Sequence, residues 1–397
     1  MKIPITKPIF DESDFEAIAG PLKTGWLVQG PNVKRFEDLF AEFVGAKHAI
    51  ATTSCTTSLH LSLLALGVGP GDEVIVPSFT FVATANAVEY TGATPVMCDV
   101  DTATFNIDIA RLKDLAGRRM KHGKLKAIIP VHLFGLGADM DSINALAGGL
   151  GLKVIEDAAC AFGSRGPGWS AGAAGAMGCF SFHPRKAITT GEGGMITTNN
   201  DELAEKARIL RDHGASKSDF SRHTEKGGSL LPEYNLLGFN YRMTDIQGAL
   251  GVSQMNKAQV ILDGRAAGAK RYDDTLRVGW LKRPEAPAGY FHSYQSYVCL
   301  VDKERFGADV QAANIFRNRL MARLEEKGVT VRQGTHAVHT LGYYREKYGL
   351  KEEDFPSSLE ADRLSLTLPL YAGIGAPEQD YVVETISALG RELGCAE

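Results

Sequence analysis

Lys186 closes the run Ser181-Phe182-His183-Pro184-Arg185-Lys186 and opens the Gly/Thr-rich stretch Ala187-Ile188-Thr189-Thr190-Gly191-Glu192-Gly193-Gly194. A lysine just past a short apolar strand, inside such a loop, is expected in a confined and partly dry pocket. Burial there lowers its pKa and lets the neutral amine attack a carbonyl. That is the chemistry of a Schiff-base lysine. Most lysines are solvated surface charges, so Lys186 alone decides nothing.

Three other groups extend the reading. Asp157 ends the run Val154-Ile155-Glu156-Asp157, and open α/β sheets bind ligands at the carboxyl ends of their strands. It either caps a helix starting at Ala158 or faces a partner in the cleft. Thr52-Thr53-Ser54-Cys55-Thr56-Thr57-Ser58 precedes an apolar helix beginning near Leu59. One hydroxyl would serve as an ordinary N-cap. So many in a row suit an anion held by the amides and hydroxyls of a helix N-terminus. Phe81, just after the Ile75-Val76-Pro77 strand end, is either a core residue or a ring that stacks on another planar ring. Amine, acid, anion site and aromatic together fit pyridoxal phosphate (PLP). Lys186 would take its carbonyl, and Asp157 would keep its pyridine nitrogen protonated so that the ring withdraws electrons.

The elements that must position these groups run from about residue 50 to 200. Val74–Pro77, Thr94–Val100, Lys126–His132, Lys153–Asp157, Gly178–Phe182 and Gly194–Thr198 read as strands, mostly as continuous apolar runs. Such runs suit strands buried on both faces. Helical stretches such as Thr57 to Leu66 and Ser142 to Leu150 alternate with them, which argues for an α/β domain with a mainly parallel sheet. Beyond the helical region near 251–270, strands at Tyr297–Val301 and Val329–Arg332 flank a helix from Val310 to Lys327 and predict a smaller α+β domain. We divide the chain into 1–255, a large cofactor-binding domain, and 256–397, a small C-terminal domain. Ser216 to Leu231, with Lys217, Arg222, His223 and Lys226, reads as a polar surface loop.

The 397 residues are 44% hydrophobic and 23% charged, an ordinary globular composition with ample length for a core. The net charge of -4 excludes a nucleic-acid footprint. No apolar run reaches a membrane-spanning length, and the N-terminus lacks the apolar core of a signal peptide. The six cysteines, including Cys55 and Cys160, are scattered without metal spacing. They read as free thiols of a reduced cytoplasmic protein.

Over nearly its whole length the chain resembles the DegT/StrS-type PLP-dependent sugar aminotransferases, of the aspartate-aminotransferase fold (fold type I). The resemblance runs through Gly25–Gly30, Pro77–Thr84, Pro130–Gly135, Glu156–Ala159, the Lys186 run, Gly238–Asp245 and Leu368–Tyr371. It implies a large domain with a mainly parallel mixed sheet flanked by helices, plus a small C-terminal domain. It further implies that Lys186 forms the Schiff base and Asp157 pairs with the pyridine nitrogen, while Phe81 stacks on the ring. Ser54, Cys55 through its backbone N–H, Thr56 and Ser181 would hold the phosphate. Asn240 would reach the phosphate of a neighbouring subunit's cofactor, making the active unit a homodimer. Cys160 stands where many relatives carry a Gln that contacts the cofactor's phenolic oxygen, and Phe162 where many carry His. Cys is the weaker hydrogen-bonding group.

The resemblance implies a ping-pong transfer in which L-glutamate leaves as 2-oxoglutarate, the cofactor passes through its pyridoxamine phosphate form, and a keto-sugar becomes an amino-sugar for cell-surface polysaccharide such as lipopolysaccharide. The acceptor stays open between a nucleotide-linked 3- or 4-keto sugar and a keto-sugar acid. Trp26, Gln29, His183, Arg211, His336 and His339 are candidates to line its site. Each His also reads as a surface or core-polar residue, and Arg211 as the partner of a helix carboxylate. A sugar dehydratase on the same fold would carry His in place of Lys186. A non-catalytic PLP-binding regulator would bind donor without converting it.

Overall fold

The computed structural model describes residues 1–216 and 231–395. The expected loop cations Lys217, Arg222, His223 and Lys226 lie outside the described residues. A seven-stranded sheet forms the centre. In chain order its strands are β1 (His48–Thr52), β2 (Glu73–Pro77), β3 (Thr94–Cys98), β4 (Leu125–Ile128), β5 (Lys153–Asp157), β6 (Met177–Ser181) and β7 (Gly194–Thr198). Their spatial order is β1-β7-β6-β5-β4-β2-β3. All neighbours pair in parallel except β7, which is antiparallel to both β1 and β6. The sheet is therefore mixed but mainly parallel, as expected.

Sequence explains why these runs are strands. Val74, Ile75 and Val76 of β2, and Ala127 and Ile128 of β4, are fully buried. A strand covered by helices on both faces needs apolar residues at consecutive positions. β1 was not expected; its Ala49, Ile50 and Ala51 are buried beside β7. The helix Cys55–Ala65 follows β1. Ser54 caps it: its hydroxyl accepts from the Thr57 amide at 3.2 Å, while the Thr57 hydroxyl accepts from the Ser54 amide at 3.0 Å. This reciprocal box supports a helix entry.

The C-terminal region builds a second layer around an antiparallel sheet of β8 (Leu281–Lys282), β9 (Tyr297–Val301) and β10 (Ser365–Leu368). Helices Val310–Glu326, Pro356–Leu364 and Ala376–Glu392 cover it. The expected strand at Val329–Arg332 does not form. Val329 and Arg332 make isolated bridges to Ile3 and Thr367 instead. The expected division at residue 255 falls at the junction of helices Asp245–Asn256 and Ala258–Thr275. The second helix lies along both cores: Ile261 and Leu262 pack with Phe36 and Phe40, whereas Ala269 and Tyr272 pack with Val298 and Leu366. Ile3, from the other end of the chain, belongs to the C-terminal core as well.

Candidate active site

β1, β2, β5 and β6 point their carboxyl ends to one edge of the sheet, and the catalytic candidates collect there. A cavity of about 600 Å³ is lined by Ser54, Cys55 and Thr56 after β1, Phe81 after β2, Asp157 at the end of β5, Ser181 at the end of β6, and Lys186. Cys160 and His183 also line it. Arg332 and Gln333 approach from the C-terminal region and Thr6 from the N-terminal segment.

Phe182 anchors the loop that carries Lys186. Its ring is buried against Phe36 and Phe40, with centroids 4.9 and 5.4 Å away. Its amide donates to the Gly193 carbonyl and its own carbonyl accepts from Thr190 N and Thr189 Oγ1, closing the loop at its base. Within the loop, Lys186 N donates to the His183 carbonyl at 2.8 Å. Lys186 Nζ donates to Cys160 Sγ at 3.1 Å.

The expectation of a lowered pKa at Lys186 is corrected by this environment. Burial does favour the neutral amine, but the Cys160 sulfur, which accepts from Nζ, and the Asp157 carboxylate outweigh it. The pKa lies above its ordinary value. Asp157 is buried, and burial raises its pKa. Opposing this, Asp157 Oδ2 accepts from Thr84 Oγ1 at 2.8 Å and Oδ1 from the Ala159 amide at 3.1 Å. Its carboxyl is thus held in place with a raised proton affinity, which suits a group that shares a proton with a ring nitrogen. Burial pushes the Cys55 thiol well above its usual range, so Cys55 is neutral and offers the cavity its backbone amide. Burial lowers the pKa of His183, and its Nδ1 accepts from the Arg185 amide at 3.2 Å. The imidazole is therefore neutral near pH 7 with Nε2 carrying the proton.

The phosphate half fits on backbone grounds. Ser54 Oγ is spent on the cap, as ordinary N-capping requires. The amides of Cys55 and Thr56 belong to the first turn and have no intrahelical acceptor. Phe81 is 62% exposed, a large apolar ring presented at the cavity rim. Donors, acid, amine and ring thus match the phosphate, ring nitrogen, carbonyl and ring face of PLP.

Several candidates are not brought to the cavity. Arg211 is buried, with Nη1 2.7 Å from both Glu37 Oε1 and the Ala51 carbonyl; its role is the ion pair with a helix carboxylate. His339 is fully buried, bonded to Ser78 Oγ at 2.6 Å and packed on Phe355, so it is a core-polar residue rather than a substrate contact. His336 is exposed and pairs with Thr80 in a two-residue ladder. Trp26 Nε1 donates to the Gln29 carbonyl at 3.3 Å beside Gly30, outside this cavity. Asn240 is exposed and lies outside its own chain's cavity, bridged to Asp212. Phe162 stacks on Phe43 at 4.6 Å in the core, so its replacement of His leaves the cavity untouched.

Sequence reasoning missed Thr84, although it sits one helical turn beyond Phe81 in a run already singled out. It also missed Arg185, Glu192, Gln295 and Arg332, which line the cavity. Gln295 Nε2 donates to the Arg185 carbonyl at 3.0 Å and ties the lysine loop to the C-terminal region. Only Arg185, one position before Lys186, and Glu192, in the loop after it, carried a local signal.

Comparison with known proteins places the chain. The profile of the DegT/DnrJ/EryC1/StrS aminotransferase family matches residues 8–387. The chain is 37% identical to the spore coat polysaccharide biosynthesis protein SpsC of Bacillus subtilis over 387 residues, covering 97% of this chain and 96% of the relative. It is 37% identical to the GDP-perosamine synthase of Caulobacter vibrioides over 388 residues, covering 97% of each. Among solved structures, the PLP form of Spr1654 from Streptococcus pneumoniae superposes with a TM-score of 0.88 at 26% identity, covering 99% of this chain and 100% of that one.

Proposed function

The chain belongs to the DegT/DnrJ/EryC1/StrS aminotransferase family as a pyridoxal-phosphate-dependent sugar aminotransferase, and we propose that it moves an amino group from L-glutamate to a nucleotide-linked keto-sugar. The product would be an amino-sugar for cell-surface polysaccharide. The name of the Caulobacter relative carries a nucleotide-linked sugar and that of the Bacillus relative a polysaccharide, and these favour the nucleotide-linked acceptor over a free keto-sugar acid.

One observation carries the reading: a partly buried amine, Lys186, shares a cavity with a buried acid of raised pKa, Asp157, and the N-terminus of the helix Cys55–Ala65. PLP, when bound, supplies a carbonyl for amines and an electron sink that makes the donor's Cα–H bond acidic. The chain's own residues would do the rest. The Cys55 and Thr56 amides, with the Thr56 and Ser181 hydroxyls, would hold the phosphate. Asp157, oriented by Thr84, would hold a proton at the ring nitrogen. Phe81 would shield the ring from water. Lys186 Nζ would hold the cofactor by its carbonyl carbon and, once free, would take the proton from Cα of the donor. With the keto-sugar it would give a proton to the sugar carbon. Arg185 and Arg332 supply cations to the substrate's carboxylate or diphosphate.

We further propose a homodimer in which Asn240 of one copy reaches the phosphate in the other. Leu231, Tyr234 and Leu237 lie near Asn240 in sequence and are exposed, an apolar surface that a second copy would cover. Location in the cytoplasm belongs to the same reading; among the described residues no helix is long and apolar enough to cross a membrane.

The central test is Lys186→Ala with glutamate and a panel of nucleotide-linked 3- and 4-keto sugars. The wild-type chain should release 2-oxoglutarate and amino-sugar with ping-pong kinetics. The variant should bind cofactor and fail to turn over. Multiple turnovers by Lys186→Ala would sink the assignment.

A further inference from the structure

The mechanism above leaves the nearest neighbour of the reactive amine without a task. Cys160 Sγ lies 3.1 Å from Lys186 Nζ and is, among the described residues, the hydrogen-bond partner that Nζ has. Both groups line the cavity, and Cys160 is partly exposed to it. The sulfur is placed by the strand end that places the acid. Cys160 follows Asp157 on a turn whose Ala159 amide is held by Asp157 Oδ1 and whose Ala161 amide donates to the Ala158 carbonyl at 2.9 Å. Phe162, stacked on Phe43, pins the turn's far end.

A free lysine side chain has four rotatable bonds, and holding it in one pose costs rotamer entropy. Asp157 would attract the amine away from a reacting carbon and toward the ring-nitrogen end of the site. A sulfur at hydrogen-bond distance gives Nζ a competing partner.

We propose that Cys160 is a positioning residue for Lys186, whose sulfur holds Nζ of the free lysine and stays beside it when the lysine is linked to the cofactor. This gives the Gln-to-Cys departure a role through the lysine rather than through the cofactor's phenolic oxygen. It rests on the aminotransferase reading for its purpose, but the pairing can be tested without turnover.

The test uses the full-length chain freed of cofactor. Iodoacetamide alkylation of Cys160 is followed at one fixed pH near neutrality by mass spectrometry of the Cys160 peptide, in wild type and Lys186→Met. Removing the cation beside the sulfur should slow alkylation of Cys160 roughly tenfold. Cys395, the other partly exposed thiol, should keep its rate. An unchanged Cys160 rate overturns the proposal.

A second measurement uses the PLP-loaded protein. The pH midpoint of the lysine-linked cofactor's visible absorbance should differ from wild type by about half a unit or more in Cys160→Ala, with Cys160→Ser between the two. Superimposable curves overturn the proposal, and they decide alone if circular dichroism shows that Lys186→Met has not folded. Failure of the aminotransferase reading would show separately, as absent turnover in a wild-type chain whose alkylation rate still responds to Lys186→Met.

Discussion

Asp157 works against the fold that contains it. A carboxylate in a buried cavity loses hydration, and its pKa rises despite the Thr84 hydroxyl and Ala159 amide that favour the anion. The sign follows from linkage. Below its ordinary value of 3.8, Asp157 is protonated in folded and unfolded chains alike. As pH rises from there through the raised folded value, the unfolded chain sheds the proton more readily, and stability falls. It then levels off. Asp157→Asn removes that charge and keeps both contacts: the amide oxygen accepts from Ala159, and the amide nitrogen donates to Thr84 Oγ1, whose proton turns to the Phe81 carbonyl 3.2 Å away. The variant freed of cofactor should therefore melt higher than wild type at neutral pH. The gain should vanish below about pH 4. Turnover should fall by about 10²–10⁴, because the ring nitrogen loses its acid. Thermal melts at acid and neutral pH check it; a lower melting point for the variant at neutral pH contradicts the argument. Asp157 and Lys186 were legible because each ends a recognisable apolar strand or its loop. For Arg211 and His339 the sequence left two readings open, because the groups that claim them, Glu37 and Ser78, are 174 and 261 positions away.

At the scale of elements, the phosphate turn depends on how closely β7 can approach it. Gly194 opens β7 between Thr52 of β1 and Ser181 of β6. A Cβ there would sit 2.3 Å from the Ser54 carbonyl carbon, 2.4 Å from its oxygen and 2.7 Å from the Cys55 nitrogen. These are backbone atoms, so no side chain can swing aside. Gly194→Ala must displace the turn that presents the Cys55 and Thr56 amides. It should weaken PLP binding by about tenfold or more and destabilise the chain by about 1–3 kcal/mol. Equilibrium titration by cofactor absorbance and a denaturant melt check both; unchanged cofactor affinity would mean the turn is not where the phosphate binds. The Thr/Ser run announced this turn, and a final glycine of the Lys186 loop turns out to complete it from the opposite side. The strands of the parallel core were readable because burial on both faces makes them continuously apolar. Val329–Arg332 has the same β-branched signature, yet its neighbours Ile3 and Thr367 pair with it at single points. Composition reports that a segment is extended and not how many partners it finds.

The whole molecule closes its cavity from distant parts of the chain. Thr6, Arg332, Gln333 and Leu368 face the sheet edge that carries Asp157 and Lys186, and Gln295 ties the two halves at Arg185. These partners were illegible in the sequence because no local pattern marks a residue that serves another layer. Asn240 poses the same problem across two copies. It lies on a segment secured to its own chain: the Tyr241 carbonyl accepts from the Thr53 amide at 3.1 Å, the Tyr241 amide donates to the Arg211 carbonyl at 3.0 Å, and Arg242 pairs with Asp212. That segment is rigid enough to present Asn240 outward, where it is exposed. If Asn240 completes the partner's phosphate site, two inactive variants must repair each other. Lys186→Ala ruins the site of the copy that carries it, and Asn240→Asp, by setting a carboxylate against phosphate, ruins the site of the other copy. In a mixed dimer both lesions fall on one site and the second is intact. Random exchange makes half the dimers mixed, each with one working site of two, so activity should recover to about a quarter of wild type. If Asn240 served its own chain's cavity, every site in the mixed dimer would carry a lesion and no activity would return. Turnover with glutamate and keto-sugar, measured before and after subunit exchange at equal total protein, separates the two arrangements.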